Sequence, residues 1–178
     1  MSPYLFTALL TLQPPANAVP LDVQLPAFLK ALSFDRNLAA SDGEFTIAVV
    51  FDPTDKSSQS TKDRLLEIHK ELTRLRVKGR QVQLVALPYS ESSLSVAGVR
   101  VLLVAPLSSS LLENLVRESA RSDFLTLATD ASYVDRGLAM GMEMDGGRPR
   151  FVVNLEAAVA AGASFESSFL TLCRIVEK

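Results

Sequence analysis

Apolar residues fall in blocks along the chain, and their spacing switches between the helical and the extended period. Leu25, Phe28, Leu29 and Leu32, with Lys30 between them, predict a short amphipathic helix over 25–34, with Pro26 tolerated in its first turn. A polar, turn-rich stretch from Asp35 to Gly43 follows. Residues 45–51 are then an almost unbroken apolar run of strand length, the pattern of a strand covered on both faces as in a parallel sheet, and Asp52-Pro53-Thr54-Asp55 ends it. Leu65, Ile68, Leu72 and Leu75 share one stripe of a helix predicted over 57–77, with Asp63, Glu67, Lys70, Glu71 and Arg74 mostly off it and Gly79 as its C-cap. Residues 81–87 read as a second strand stopped by Pro88, 91–97 as a serine-rich connection, and 99–105 as a third buried strand stopped by Pro106. Ser108 to Ser110 can cap a helix whose stripe is Leu111, Leu112, Leu115 and Val116, and 124–128 is a fourth strand.

The pattern then changes. Residues 138–144 alternate, Asp145-Gly146-Gly147 is a tight-turn signal, and 150–154 returns as a strand, which predicts an antiparallel hairpin. A final helix is expected over 156–176, broken near Gly162, with Phe165, Phe169, Leu172 and Val176 on its buried stripe. The order helix, β-α-β, β-α-β, hairpin, helix predicts an α/β fold: a mostly parallel Rossmann-like sheet with an antiparallel C-terminal hairpin and helices on both faces. No repeat or linker divides it, so residues 19–178 are expected to form a single domain.

Composition narrows the chemistry. The 178 residues carry 18 Lys and Arg against 20 Asp and Glu, so there is no basic excess to neutralise nucleic-acid phosphates. The lone Cys173 forbids an intrachain disulfide and cysteine-built zinc sites, and any histidine-dependent triad or metal site would rest on His69 alone. No P-loop, dinucleotide-binding glycine pattern or nucleophile elbow occurs, so no cofactor, catalytic residue or metal ligand is assigned and the chain is read as non-enzymatic. The first charged residue is Asp22; before it come an apolar run over 4–12, Pro14-Pro15 and the small-x-small triplet Ala16-Asn17-Ala18. This organisation, without the usual basic start, reads as a secretory signal over residues 1–18.

Asp52, Tyr89, Ser108 and Asp130 each follow a predicted strand, and in a parallel sheet such positions share the edge where ligands bind. They are therefore candidate ligand-binding residues, against the structural alternative that Asp52, Ser108 and Asp130 cap helices and turns. His69 is expected at the boundary of a helix stripe and Cys173 as a buried small apolar residue. Met140, Met142 and Met144 share one face of the hairpin, read as core. Phe165 and Leu170 exceed the width of one stripe and are the candidate partner-binding residues if partly exposed, with core packing as the alternative.

Thr129-Asp130 through Tyr133 and Gly137, the hairpin, and Phe151-Val152-Val153-Asn154 leading into Ala157-Ala158 resemble the YfiR-like family of small secreted bacterial proteins. The chain departs from that pattern at Gly137-Leu138, where the family has two glycines, and at Phe34-Asp35-Arg36, where it has an aromatic-proline pair. The disulfide-linked redox control of the best-known member cannot be carried over to a chain whose one cysteine is Cys173. The resemblance implies a periplasmic regulator that represses a membrane signalling enzyme, a diguanylate cyclase or a sensor kinase, by binding its periplasmic sensor domain; a homodimer is a further candidate assembly. The alternative is a periplasmic small-molecule-binding sensor module using the strand-end crevice.

Overall fold

Eight strands form one sheet in the order β2-β3-β1-β4-β5-β6-β7-β8. The computed structural model describes residues 18–38, 43–72, 74–89 and 98–177. The expected signal, apart from Ala18, and the serine-rich connection 91–97 lie outside the described residues. The elements are α1 (Leu21–Leu32), β1 (Glu44–Phe51), α2 (Lys56–Glu71), β2 (Arg76–Val77), β3 (Arg80–Pro88), β4 (Val101–Val104), α3 (Ser109–Ser119), β5 (Leu125–Ala128), α4 (Ser132–Asp135), β6 (Met140–Asp145), β7 (Arg148–Asn154), α5 (Leu155–Ala160), α6 (Ser167–Leu170) and β8 (Arg174–Val176). Strands β3, β1, β4, β5 and β6 run parallel; β2 on β3 and β7 on β6 are antiparallel, and β8 lies parallel to β7.

The unbroken apolar runs exist because both faces are covered. Phe45, Ile47 and Val49 of β1 and Val101 and Leu103 of β4 point into one core with Phe28 and Leu32 of α1 and Leu65 and Ile68 of α2. Their neighbours Ala48, Val50, Leu102 and Val104 point the other way, into a second core with Leu112 and Leu115 of α3 and Tyr133 and Val134 of α4. Successive side chains of a strand face opposite ways, so one apolar run supplies two layers. Met140 and Met142 are buried in the first core and Met144 packs against it, which places the methionine face of the hairpin inside. The hairpin turn is the two-residue Gly146-Gly147, both with positive φ, which only glycine adopts without strain.

Two helix expectations are corrected. The helix over 57–77 ends at Glu71, because Leu75 accepts the amide of Val82 and Arg76–Val77 pairs back on β3 through a turn at Lys78-Gly79. The final helix over 156–176 is two short helices and an edge strand. Backbone pairing to the segment after α1 interrupts it: Arg36 donates to the carbonyl of Ser164, Glu166 donates to that of Phe34, and Asp35 bridges Phe165. Phe165 is 7% exposed rather than partly exposed, and Leu172, expected in the buried stripe, is 70% exposed. Phe169 stacks on Phe34 at 5.4 Å and meets Phe151 and Phe165 at 5.2 and 5.4 Å, while Leu170 packs half-buried against the same core. The edge strand is held by Arg174, whose guanidinium takes both oxygens of Glu143 on β6, at 2.9 and 3.1 Å.

Candidate functional site

Taken alone, the parallel strands have the doubly wound order 2-1-3-4-5, whose direction reverses between β1 and β4. Ligands in such sheets sit outside the carboxyl ends of the strands at that reversal. A cleft of about 560 Å³ lies at this edge, lined by Val19, Gln24, Thr61, Pro106, Asp130 and Met142 among others. Its walls come from the start of α1, the body of α2 and the segments following β4 and β5. The lining is mostly apolar with a few polar groups, the usual make-up of a small-molecule site.

Gln24 is the residue that sequence reasoning missed. It is 2% exposed, and its Nε2 donates to two backbone carbonyls, Val19 at 2.7 Å and Thr129 at 3.1 Å. Because both partners are acceptors, the amide orientation is fixed and Oε1 is left buried with no donor. Its position four residues before Phe28, on the apolar stripe of α1, was the available signal: a polar side chain on a buried face needs partners.

The four candidate ligand-binding residues do come to this edge, but three are engaged with nearby backbone. Asp52 Oδ1 accepts from the amide and the hydroxyl of Thr54, both at 2.7 Å, while its own amide donates to Ser58 Oγ. The Thr54 hydroxyl and amide hold the Asp52 carboxyl below its ordinary range, more than burial opposes them. Ser108 caps α3, and Asp130 Oδ1 accepts from the amide and hydroxyl of Ser132 at 2.9 and 2.7 Å. Of the four, Asp130 lines the cleft. Tyr89 is buried, with its hydroxyl 3.1 Å from Glu118 on α3.

Tyr133 is a further organising residue. Its hydroxyl accepts from the amide of Leu107 at 2.9 Å and donates to the carbonyl of the same residue at 3.1 Å, tying α4 to the segment that carries Pro106. Burial raises its pKa, partly opposed by the Leu107 amide, so the phenol stays protonated as this pairing requires. Gly141 lets α4 approach β6: a Cβ there would lie 2.9 Å from Val134 Cγ2 and 3.2 Å from Ala131 Cα. Asn154 caps α5 by accepting from the amide of Ala157. His69 is half-buried and donates from Nε2 to the carbonyl of Val82 at 2.9 Å. Cys173 is buried, and burial pushes its thiol up to about 11.

Among the described residues no group of three or more His, Cys, Asp or Glu is placed to hold a metal ion, and no helix is long and apolar enough to cross a membrane. The profile of the YfiR/HmsC-like family matches residues 37–174, most of the chain. The chain belongs to the YfiR/HmsC-like family. Membership supports a periplasmic regulatory role and accounts for the Thr129-Asp130 turn, the hairpin and the Asn154 cap occurring in one order. No curated protein matches the chain.

Solved structures share the fold at low identity. The ABC domain in complex with L-Trp from Streptococcus pneumonia superposes with a TM-score of 0.59 at 14% identity, over 88% of this chain and 62% of that one. A conserved domain protein from Vibrio cholerae gives 0.58 at 14% identity, over 89% and 60%. The ligand-free, open form of a substrate binding protein with adhesive properties from Clostridium difficile gives 0.54 at 17%, over 75% and 55%. The YfiR/HmsC-like chain thus spans less than two thirds of each of these proteins.

Proposed function

We propose that this YfiR/HmsC-like protein is a periplasmic, non-enzymatic regulator that represses a membrane signalling enzyme of diguanylate cyclase type by binding its periplasmic sensor domain. The family match over residues 37–174 carries this reading. Physically, the regulator binds one state of the sensor domain more tightly than the other and so biases the enzyme's equilibrium. The test is to retain a tagged protein on resin, pass detergent-solubilised envelope over it, and assay any captured enzyme with and without added regulator. Near-stoichiometric capture of one membrane protein with a cytoplasmic cyclase domain, whose activity falls as regulator is added, supports the reading. Capture of nothing at micromolar bait, or of an enzyme whose activity is indifferent to the regulator, overturns it.

A second reading has its own observation. The cleft of about 560 Å³ beside Gln24 and Asp130 has the volume and lining of a small-molecule site, on a fold shared with substrate-binding proteins. Under this reading the protein is a sensor module, alone or as the ligand-responsive part of the repressor. Replacing Ala131 by Leu fills the cleft, so a compound that raises the melting temperature of the wild type and not of Ala131→Leu would support it. A compound library that shifts neither protein would count against it.

A further inference from the structure

We propose that the opposite edge of the sheet, at the amino ends of the parallel strands, holds a binding site for a small phosphate-type oxyanion formed by Arg80, Arg100 and Asp35. The site is separate from the cleft and does not depend on the repressor reading. A cavity of about 150 Å³ lies there, lined by Asp35, Asn37, Arg80, Arg100 and Gly162 among others. That volume suits a tetrahedral anion or the end of a phosphomonoester.

Both cations reach the cavity without a carboxylate partner among the described residues. Arg80 opens β3; its Nη2 donates to the carbonyl of Glu44 at 2.5 Å and its guanidinium lies 5.2 Å from the Phe45 ring centre. These contacts hold the group in place and leave its Nε–H buried with no acceptor. A buried guanidinium N–H without an acceptor is uncommon in a folded protein, and this one belongs to a residue that lines the cavity. The Arg100 side chain makes no hydrogen bond or ion pair with any described residue, and its Nη2 stands 3.4 Å from where a Cβ on Gly162 would be. Two guanidiniums and one carboxylate line this small cavity, so its lining keeps a net positive charge that a bound anion would offset.

The third member sets the chemistry. Asp35 is 5% exposed, and its Oδ1 accepts from the amides of Asn37 and Ser164 at 3.0 and 2.8 Å. Its Oδ2 receives nothing from a described residue. An acceptor oxygen on the wall of an anion site favours an anion that still carries a proton to donate. Inorganic phosphate and phosphomonoesters at neutral pH can supply that proton; sulfate and simple carboxylates cannot. The rim is held by pairing between two distant segments, with Asn37 Nδ2 donating to the carbonyl of Gly162 at 2.9 Å and Lys78 Nζ to that of Asp35 at 2.5 Å.

Isothermal titration of the full chain in phosphate-free buffer, with inorganic phosphate, methyl phosphate, sulfate and acetate, tests this. Saturable phosphate binding is expected, weakened by roughly tenfold or more in Arg100→Gln and for sulfate or acetate on the wild type. Methyl phosphate binding as well as inorganic phosphate would identify the end of a phosphomonoester as an accepted source. Binding of inorganic phosphate alone would identify the free anion; either result supports the site. Because the Arg100 side chain is exposed and bonded to no described residue, Arg100→Gln is expected to melt with the wild type, so a lost heat would not reflect misfolding. No saturation by about 10 mM phosphate, equal affinity in Arg100→Gln, or sulfate binding as well as phosphate would overturn the proposal.

Discussion

The two ends of the parallel sheet use polar side chains in opposite ways. At the carboxyl ends Asp52, Ser108 and Asp130 accept hydrogen bonds from the first turns that follow their strands, and the cleft beside Asp130 is mostly apolar. At the amino ends Arg80 and Arg100 keep donors that no described residue meets. A polar residue at a strand end is therefore weak guidance to a binding site. What distinguishes the two edges is whether the hydrogen-bonding capacity of each side chain is already met by the fold.

The harshest way to break this contrast is to remove the support under one edge. Phe169 touches Phe34, Phe151 and Phe165, and so underlies both segments that form the arginine-lined rim. Phe169→Ala is expected to cost about 3–5 kcal/mol in urea unfolding, a large share of a typical domain's stability. Phe169→Leu keeps most of the volume and should fold with a smaller loss. A cost below about 1 kcal/mol for the alanine variant would mean that the aromatic cluster does not hold the rim.

At the carboxyl edge the corresponding brace is Tyr133. Tyr133→Phe leaves both the amide and the carbonyl of Leu107 without their partner, at an expected cost of about 1–3 kcal/mol with little change in packing. Amide hydrogen exchange at Leu107 should quicken in the variant before global unfolding does. Unchanged exchange would show that another group satisfies that amide.

These contrasts were unequally visible along the chain. The apolar runs of β1, β4 and β5 could be read because a strand covered on both faces needs apolar residues at every position, and nothing distant has to be known. Residues 156–176 misled because Phe165, Phe169, Leu172 and Val176 keep helical spacing, whereas the backbone of Ser164 and Glu166 pairs with residues following α1. Such pairing is tertiary and leaves no periodic mark. Asp130 was legible as a cleft residue from its place after β5; for Gln24 the sequence showed a polar side chain on an apolar stripe but not its partner Thr129, 105 residues away. The unmatched donors of Arg80 and Arg100 were hidden for the same reason. Sequence displays charge, and only the fold shows which charges have found a partner.

Asp52 sharpens the contrast through pH. Its carboxyl is held below the ordinary value of 3.8 by Thr54. A group depressed in the folded state binds its proton more readily when unfolded, so its contribution is present above that ordinary value and is lost as pH falls through the folded value. Asp52→Ala is expected to cost about 1–2 kcal/mol at neutral pH, with the difference from wild type shrinking under acid. Urea midpoints for both proteins from neutral pH down to acid would check this; a difference independent of pH would show that the carboxylate charge is not what stabilises the turn.

The smallest effect is the most informative about the other edge. Arg100→Gln should change stability by no more than about 0.5 kcal/mol in phosphate-free buffer, because the side chain is exposed and bonded to nothing described. Added phosphate should separate the two proteins, since a ligand that binds only the folded state stabilises it by RT ln(1 + L/Kd), with L its free concentration, and so raises its melting temperature as that concentration grows. The wild type should climb with phosphate concentration while the variant stays nearly level, and sulfate at the same ionic strength should move neither by as much. Parallel curves for wild type and variant would mean that phosphate acts on the protein generally, and the difference between the two edges would then be one of charge alone.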